Sequence, residues 1–371
     1  MVEILRPSSA DIWTNCAGQP ALVERLVPEQ PSSDAAMEGT CAAWLAEMVL
    51  TGQADKCVDL VNTLCPENNW PIDHIMVNHI QKYCDMITQR GGDINAERKV
   101  KLTEVIQGTP DAFAVVTQHY VNGELRITLH VDDLKYGYGI VKPTSKQVLI
   151  YTGAIFNILH GRGQTPTHIE IGIYQPRSYH VEGYYRTRKL TPVQLIAEVA
   201  QVVLDGNKCL DPDAMTTPGE WCKYCPAAGE CGALSTELYA VYTMLQGKAN
   251  RNITPEELSA ELVFLELLDD MLKGRKTAIH AVANARMDTG ENVPGWTRES
   301  KLGNRRWKVS PETVESVTGF DATAGKMVTP AELERRGADY KSLKYLTEQP
   351  KTKAKLVQVT AEDFKRQFEG G

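Results

Sequence analysis

Two acids and a lysine carry the first chemical suggestion in this 371-residue chain. In ELRITLHVDDLK, Ile127, Leu129, Val131, Asp133 and Lys135 share one parity, so a strand places all five on one face. Three of them are core formers; the other two are a carboxylate and an ammonium, aimed along the side a strand would bury. The preceding segment, DAFAVVTQHY, has a matching face in Asp111, Phe113 and Val115, and Asn122-Gly123 between the two reads as a hairpin turn. A three-residue loop Val121-Asn122-Gly123, with Gly in the left-handed position, pairs Tyr120 with Glu124 and sets Asp111 opposite Asp133. A two-residue Asn-Gly loop would put the acids on opposite faces unless a bulge intervened. Matching the apolar faces favours the longer loop. Two close buried carboxylates repel, and a divalent cation with hard oxygen ligands, Mg²⁺ or Mn²⁺, relieves them. Beside such a site Lys135 could orient or help deprotonate an attacking water, or stabilise charge on a phosphate. An Asp-Lys ion pair at a strand end is the plainer reading of D-x-K alone.

A second constellation is WCKYCPAAGEC, in which Cys222-x2-Cys225-x5-Cys231 supplies three thiols at metal-ligand spacing. A closed site needs a fourth, and spacing alone makes zinc the default, with iron–sulfur as the alternative. Cys41, Cys57, Cys65, Cys84 and Cys209 sit singly and read as small apolar core residues.

The elements that would position these groups are legible in outline. Ser32 and Ser33 can cap a helix to about Leu50, and a second helical stretch covers roughly 70–88. ERKVKLTEVI, DAFAVVTQHY and ELRITLHVDDLK then read as strands. A helix follows from Ser145 to His160, with Val148, Tyr151, Ile155, Ile158 and Leu159 as its apolar stripe and Gln147 one turn before Tyr151. HIEIGIYQ alternates as a strand, and TPVQLIAEVAQVVL reads as a helix. Beyond 235 the chain becomes mainly helical: Thr254-Pro255-Glu256-Glu257 combines a cap, a first-turn Pro and a capping-box Glu, and Gly274 is a candidate break in the helix it starts. TPAEL marks another helix start. The boundary is placed at 235/236.

No apolar run approaches the roughly 18 residues of a membrane span, and MVEILRPSSADIW lacks a secretory pattern, so a cytosolic protein without a membrane partner is expected. Nine cysteines in such a compartment mean thiols or metal ligands, not a disulfide framework. A net charge of −7 argues against a globally basic nucleic-acid coat but leaves room for a basic cleft. TRESKLGNRRWK, with Arg305 and Arg306, and RTRK at 186–189 are the basic stretches; either alone reads as a solvated charged face.

Asp111, Asp133-Leu134-Lys135 and Gln147-x3-Tyr151 together resemble the PD-(D/E)XK nuclease pattern in its RecB-like branch. PSSADIWTNCAG, AMEGT, GTPDAF, DDLKYGYG, YQPR and VPGW extend the likeness along nearly the whole chain to a phage-associated family of RecB-like nucleases. The resemblance implies an α/β restriction-endonuclease-like core, αβββαβ, over residues 1–235, with a mainly helical region at 236–371 that could contact DNA. It implies a metal-dependent DNA nuclease, an exonuclease acting on ends or single strands, in a phage- or prophage-encoded recombination or replication setting with a phage protein as possible partner. Asp111, Asp133 and the Leu134 carbonyl would hold Mg²⁺ or Mn²⁺, Lys135 would serve the water, and Gln147 and Tyr151 would lie beside the DNA. Arg177 of YQPR, with Arg305 and Arg306, would be DNA contacts. AddB-type and CRISPR-associated RecB-like nucleases hold a 4Fe–4S cluster with one Cys upstream of the core and three after it. That makes Cys16, Cys222, Cys225 and Cys231 the implied ligands of a staple closing a loop of about 206 residues, from position 16 to position 222. One departure is plain. Members commonly carry a metal-binding His a few residues after Gly-Thr, but Glu38-Gly39-Thr40 is followed by Cys41, Ala42, Ala43 and Trp44. Glu47 is the candidate substitute. The missing His also favours the alternative function, a catalytically weak DNA-binding or scaffold protein that keeps the fold.

Overall fold

The computed structural model describes residues 4–26, 33–121, 123–178, 180–246, 254–299, 306–307, 311–319, 329–335, 344–348 and 355–358. Ser33 caps α1 (Asp34–Leu50) by accepting from the Ala36 N–H, and Asp73 caps α2 (His74–Arg90) through the Met76 N–H. Five strands follow: β1 (Asp93–Ala96), β2 (Ala112–His119), β3 (Leu125–Leu134), β4 (His168–Tyr174) and β5 (Tyr185–Leu190). They form one sheet in the order β1-β2-β3-β4-β5, antiparallel except for the parallel β3–β4 pair. A parallel pair needs a crossover, and α3 (Lys146–Gly161) supplies it. Next come α4 (Pro192–Lys208), opened by a Thr191–Gln194 capping box, and α5 (Gly232–Gln246). The architecture is mixed α/β. Among the described residues no helix is long and apolar enough to cross a membrane.

The hairpin has the longer loop. Tyr120 N–H donates to the Glu124 carbonyl at 2.9 Å, Gly123 has φ +81°, and Ala112 stands opposite Asp132. One sheet face packs α3 and α4 through Leu129, Val131, Ile150, Ile155, Ile171 and Leu195. The other packs α1 and α2 through Leu45, Met76, Ile80, Tyr83, Leu134 and Tyr174. Both faces of the sheet centre are therefore dry.

Three expectations are corrected. ERKVKLTEVI is not one strand: only Val100–Lys101 and Gln107–Gly108 pair, as a small antiparallel ribbon, because bends at 102–105 interrupt the ladder. RTRK is not a solvated face but most of β5; Arg186 is buried, and Arg188 pairs with Glu198. The helix after Thr254, α6 (Pro255–Asp288), runs unbroken through Gly274.

The chain divides into compact units 1–279 and 280–371, and position 235 falls inside α5. The first part of α6 stays with the sheet unit because it grips the cysteine segment: Arg275 donates to the carbonyls of Ala228 (2.9 Å) and Cys231 (3.3 Å), and Lys223 pairs with Asp270 at 2.9 Å. In the second unit Trp296–Glu299 pairs with Lys355–Gln358, and Arg306–Trp307 with Thr347–Glu348, beside short helices at Pro311–Thr318 and Pro330–Arg335.

Candidate active site

The end of β3 brings together five of the residues singled out above. Asp111, one position before β2, lies across from Asp133 by continuation of the ladder, and its Oδ2 accepts from the Leu134 N–H at 2.6 Å. Lys135 Nζ lies 2.7 Å from Asp133 Oδ2 and donates to Gln147 Oε1 at 3.0 Å. Gln147 Nε2 in turn donates to the Tyr151 hydroxyl at 3.3 Å. The chain of contacts Asp133–Lys135–Gln147–Tyr151 links strand to helix as the shared parity and the helical spacing require.

The first turn of α3 is held from a distant segment. Asp11, in a short helix at Ala10–Trp13, accepts from Ser145 Oγ (3.1 Å) and from the Lys146 N–H (3.0 Å), so the N-terminal region positions the helix that carries Gln147. An anion at a helix N-terminus is favourable in itself.

The electrostatics are those of a site short of positive charge. Burial, then the Asp133 charge, pushes the Asp111 carboxyl up to about 7. Asp133 is raised by burial against the opposing pull of Lys135. Neither Asp133 oxygen is solvent-accessible, and the Lys135 ammonium is its ion-pair partner. Burial would lower Lys135, but the carboxylates of Asp133 and Asp111 outweigh it and hold the ammonium above its usual range in the metal-free site.

One acid escaped the sequence reading. Glu97, directly after β1, has left-handed backbone at φ +46°, and its N–H donates to the Asp111 carbonyl at 3.3 Å. Burial, then the charges of Asp111 and Glu47, pushes it up to about 8. Glu47 on α1 thus reaches the acid cluster through Glu97. The usable signal was the polarity of a lone Glu between two short strands, which periodicity does not detect.

Arg177 is not free for phosphate. It pairs with Glu38, donates to the Tyr138 hydroxyl and lies over the Tyr136 and Tyr138 rings. Arg305 lies outside the described residues, and only the backbone of Arg306 is described, in a short strand.

The cysteines sort into two sets. Cys16, Cys222, Cys225 and Cys231 line one small cavity with Ile12, Trp221 and Leu234. Backbone N–H groups of Thr217, Gly219 and Leu234 point at the sulfurs of Cys16 (3.2 Å), Cys222 (3.4 Å) and Cys231 (3.5 Å). Gly18 makes this approach possible: a Cβ there would sit 2.6 Å from the Ala214 carbonyl oxygen. The other five are buried in the apolar core, as expected, with Cys209 on the α3 and α4 side of the sheet. Cys41 neighbours Cys65, and Cys57 neighbours Cys84, thiol against thiol in the core between α1 and α2. Among the described residues, no three His, Cys, Asp or Glu side chains converge closely enough to hold one metal ion.

A mixed α/β protein with buried acids and a lysine at the end of a central strand is the class that fold and site define. Residues 3–365 match the model of the family described as Protein of unknown function (DUF2800), and the chain belongs to that family. No curated protein matches the chain.

Proposed function

We propose that the protein is a metal-dependent DNA nuclease of the RecB-like type. The observation that carries the reading is the connected set Asp111, Asp133, Lys135, Gln147 and Tyr151, in which two buried carboxylates share the charge of one lysine. The order helix, three strands, helix, strand around that set is what a PD-(D/E)XK core would need. Asp111 and Asp133 fit Mg²⁺ or Mn²⁺, since such ions commonly take one or two carboxylates and keep several waters. Bound there, the ion's contribution is charge neutralisation and Lewis acidity at a phosphate oxygen.

The chain's own residues supply the rest. Lys135, which the two carboxylates hold charged in the metal-free site, donates a hydrogen bond to the attacking water or to a phosphate oxygen. Gln147 fixes the ammonium, and Tyr151 fixes Gln147. Hydrolysis places the water's hydroxyl on phosphorus and its second proton on the departing oxygen. The Leu134 carbonyl and Glu47 remain proposed further ligands.

An iron–sulfur cluster is the reading preferred to a single zinc ion, supported by four cysteines lining one cavity and by backbone N–H groups aimed at the sulfurs of Cys16, Cys222 and Cys231. Without such a group burial raises the thiols of Cys16, Cys222 and Cys225, the last to about 11. A 4Fe–4S cluster held by Cys16, Cys222, Cys225 and Cys231 would tie the N-terminal segment to the chain beyond α4.

Purified protein incubated with end-labelled single- and double-stranded DNA, with circular controls, should release nucleotides only when Mg²⁺ or Mn²⁺ is added. Binding without cleavage of any substrate would favour the scaffold alternative and overturn the enzymatic reading.

A further inference from the structure

The loop between Lys135 and α3 is braced more heavily than Tyr-Gly-Tyr-Gly composition requires. Gln175, fully buried, accepts from the Val141 N–H at 2.8 Å and donates to the Gly139 carbonyl at 2.8 Å. Buried Arg186 donates to the Val141 carbonyl at 2.9 Å and to Gln175. Ser178 Oγ donates to the Tyr138 carbonyl at 2.7 Å. The backbone of 138–141 is thus clamped from the end of β4, the residues after it and β5.

The side chain at the centre of this clamp is exposed. Tyr138 is 70% accessible. The Arg177 guanidinium lies 4.2 Å from its ring centroid and donates to its hydroxyl, while itself lying 4.9 Å from the Tyr136 ring and pairing with Glu38. Isolated exposed aromatics are ordinary; an exposed aromatic on a clamped backbone, with a cation stacked against it, is not. The flanking glycines add to this. Neither Gly137 nor Gly139 has left-handed backbone, and a Cβ on either would meet nothing within 4 Å. Folding does not require glycine at these positions. What the two supply is bare backbone on both sides of the ring.

Taking the nuclease reading as its basis, we infer that Tyr138 is a stacking platform for an unpaired nucleobase of the strand whose phosphate lies at Lys135, and that it favours single-stranded substrate. Tyr138 stands three positions after Lys135, so their Cα atoms are at most about 10 Å apart, which suits a base within a few nucleotides of the scissile phosphate. A base inside a duplex is stacked on its neighbours and presents no free face, so only an unpaired base can use the platform. Every base has a π-face, so the preference is for strandedness and not for sequence. The guanidinium beneath the ring adds a cation–π term without contacting the base.

The test uses the full chain and a single-stranded oligonucleotide carrying 2-aminopurine, bound in EDTA so that no cleavage intervenes. Wild type should quench the fluorophore. Tyr138→Ala should abolish quenching and weaken single-strand affinity by about tenfold or more, the range that one lost stacked base gives. Its duplex affinity should not move. Tyr138→Trp should restore both properties, and Tyr138→Phe, which loses only the hydroxyl bonded to Arg177, should retain them. With Mg²⁺ present, Tyr138→Ala should raise KM on single strands and leave kcat nearly unchanged. If wild type cleaves DNA and Tyr138→Ala binds and quenches like wild type, the platform is wrong and the nuclease reading survives. Equal weakening on single strands and duplexes removes the strand preference. If wild type neither binds nor cleaves nucleic acid, the nuclease reading falls and takes the platform with it.

Discussion

Asp132 and Asp133 are neighbours in sequence and both are almost fully buried, yet they live in opposite environments. Asp132 points to the α2 side, where Arg90 donates to both its oxygens and the Tyr185 hydroxyl donates at 2.8 Å. Asp133 points to the α3 side, where its charged partner is Lys135 at 2.7 Å. Burial is the same; satisfaction is not. A buried charge with all its bonds made is part of the scaffold, whereas one left open is a group waiting for a ligand. The cysteines repeat the contrast. Cys41, Cys65, Cys57 and Cys84 face one another in a filled core, whereas Cys16, Cys222, Cys225 and Cys231 face a cavity with N–H groups aimed at their sulfurs.

The largest effect should come from the open aspartate. Asp133→Ala or Lys135→Ala should lower DNA cleavage at least about a thousandfold, on the scale of removing transition-state charge stabilisation. Near-normal cleavage in either purified alanine variant would break the contrast at its functional end. Next, Asp132→Ala should destabilise the fold by about 3–5 kcal/mol in urea unfolding, the cost of stranding a buried partner such as Arg90. A change below about 1 kcal/mol there would mean that Asp132 is not the structural member of the pair.

The cysteine contrast predicts a chemical readout. Anaerobically purified protein should carry about four irons per chain, and Cys16→Ser should lose iron as fully as Cys225→Ser. Cys57→Ser and Cys84→Ser should keep it, with small stability changes. Retention of iron by Cys16→Ser, or stoichiometric zinc without iron in wild type, would contradict the cluster assignment.

The smallest effect is a slope with pH. In metal-free protein Asp111 at about 7 and Glu97 at about 8 both stand above ordinary carboxylates, so the folded state holds protons that the unfolded state has released. Their contribution to stability is complete below about pH 4 and is lost as pH rises through 7 to 8. Stability in EDTA should therefore fall from pH 5 to pH 8, by at most about 1.4 kcal/mol per pH unit for each extra proton. Asp111→Asn should flatten the slope; an unchanged slope in that variant would show that the proton resides elsewhere.

Much of the scaffold was legible because burial and periodicity agree. The paired faces of DAFAVV and ITLHVDD select the register that sets Ala112 against Asp132, and the Thr191 and Thr254 capping boxes mark their helices. What periodicity could not supply was anything decided by long-range polar contact. β1 is four residues of mixed polarity whose order comes from pairing with β2. RTRK becomes a strand because β4 accepts it and Gln175 binds Arg186. The two thiol pairs join residues 24 and 27 positions apart, at 41 and 65 and at 57 and 84, by the packing of α1 and α2. The acids and lysine at the site were readable because one strand carries two of them.

The cysteine cavity also has a timetable. Cys231 follows Cys16 by 215 residues, from position 16 to position 231, so a ribosome adding roughly 5–20 residues per second needs on the order of 10–40 s to make one after the other. For most of that interval Cys16 has neither its three companions nor the Thr217 N–H that points at its sulfur. The cavity can close only after α4 and the segment beyond it have been synthesised, which makes completion of this corner one of the last events in the birth of the sheet unit.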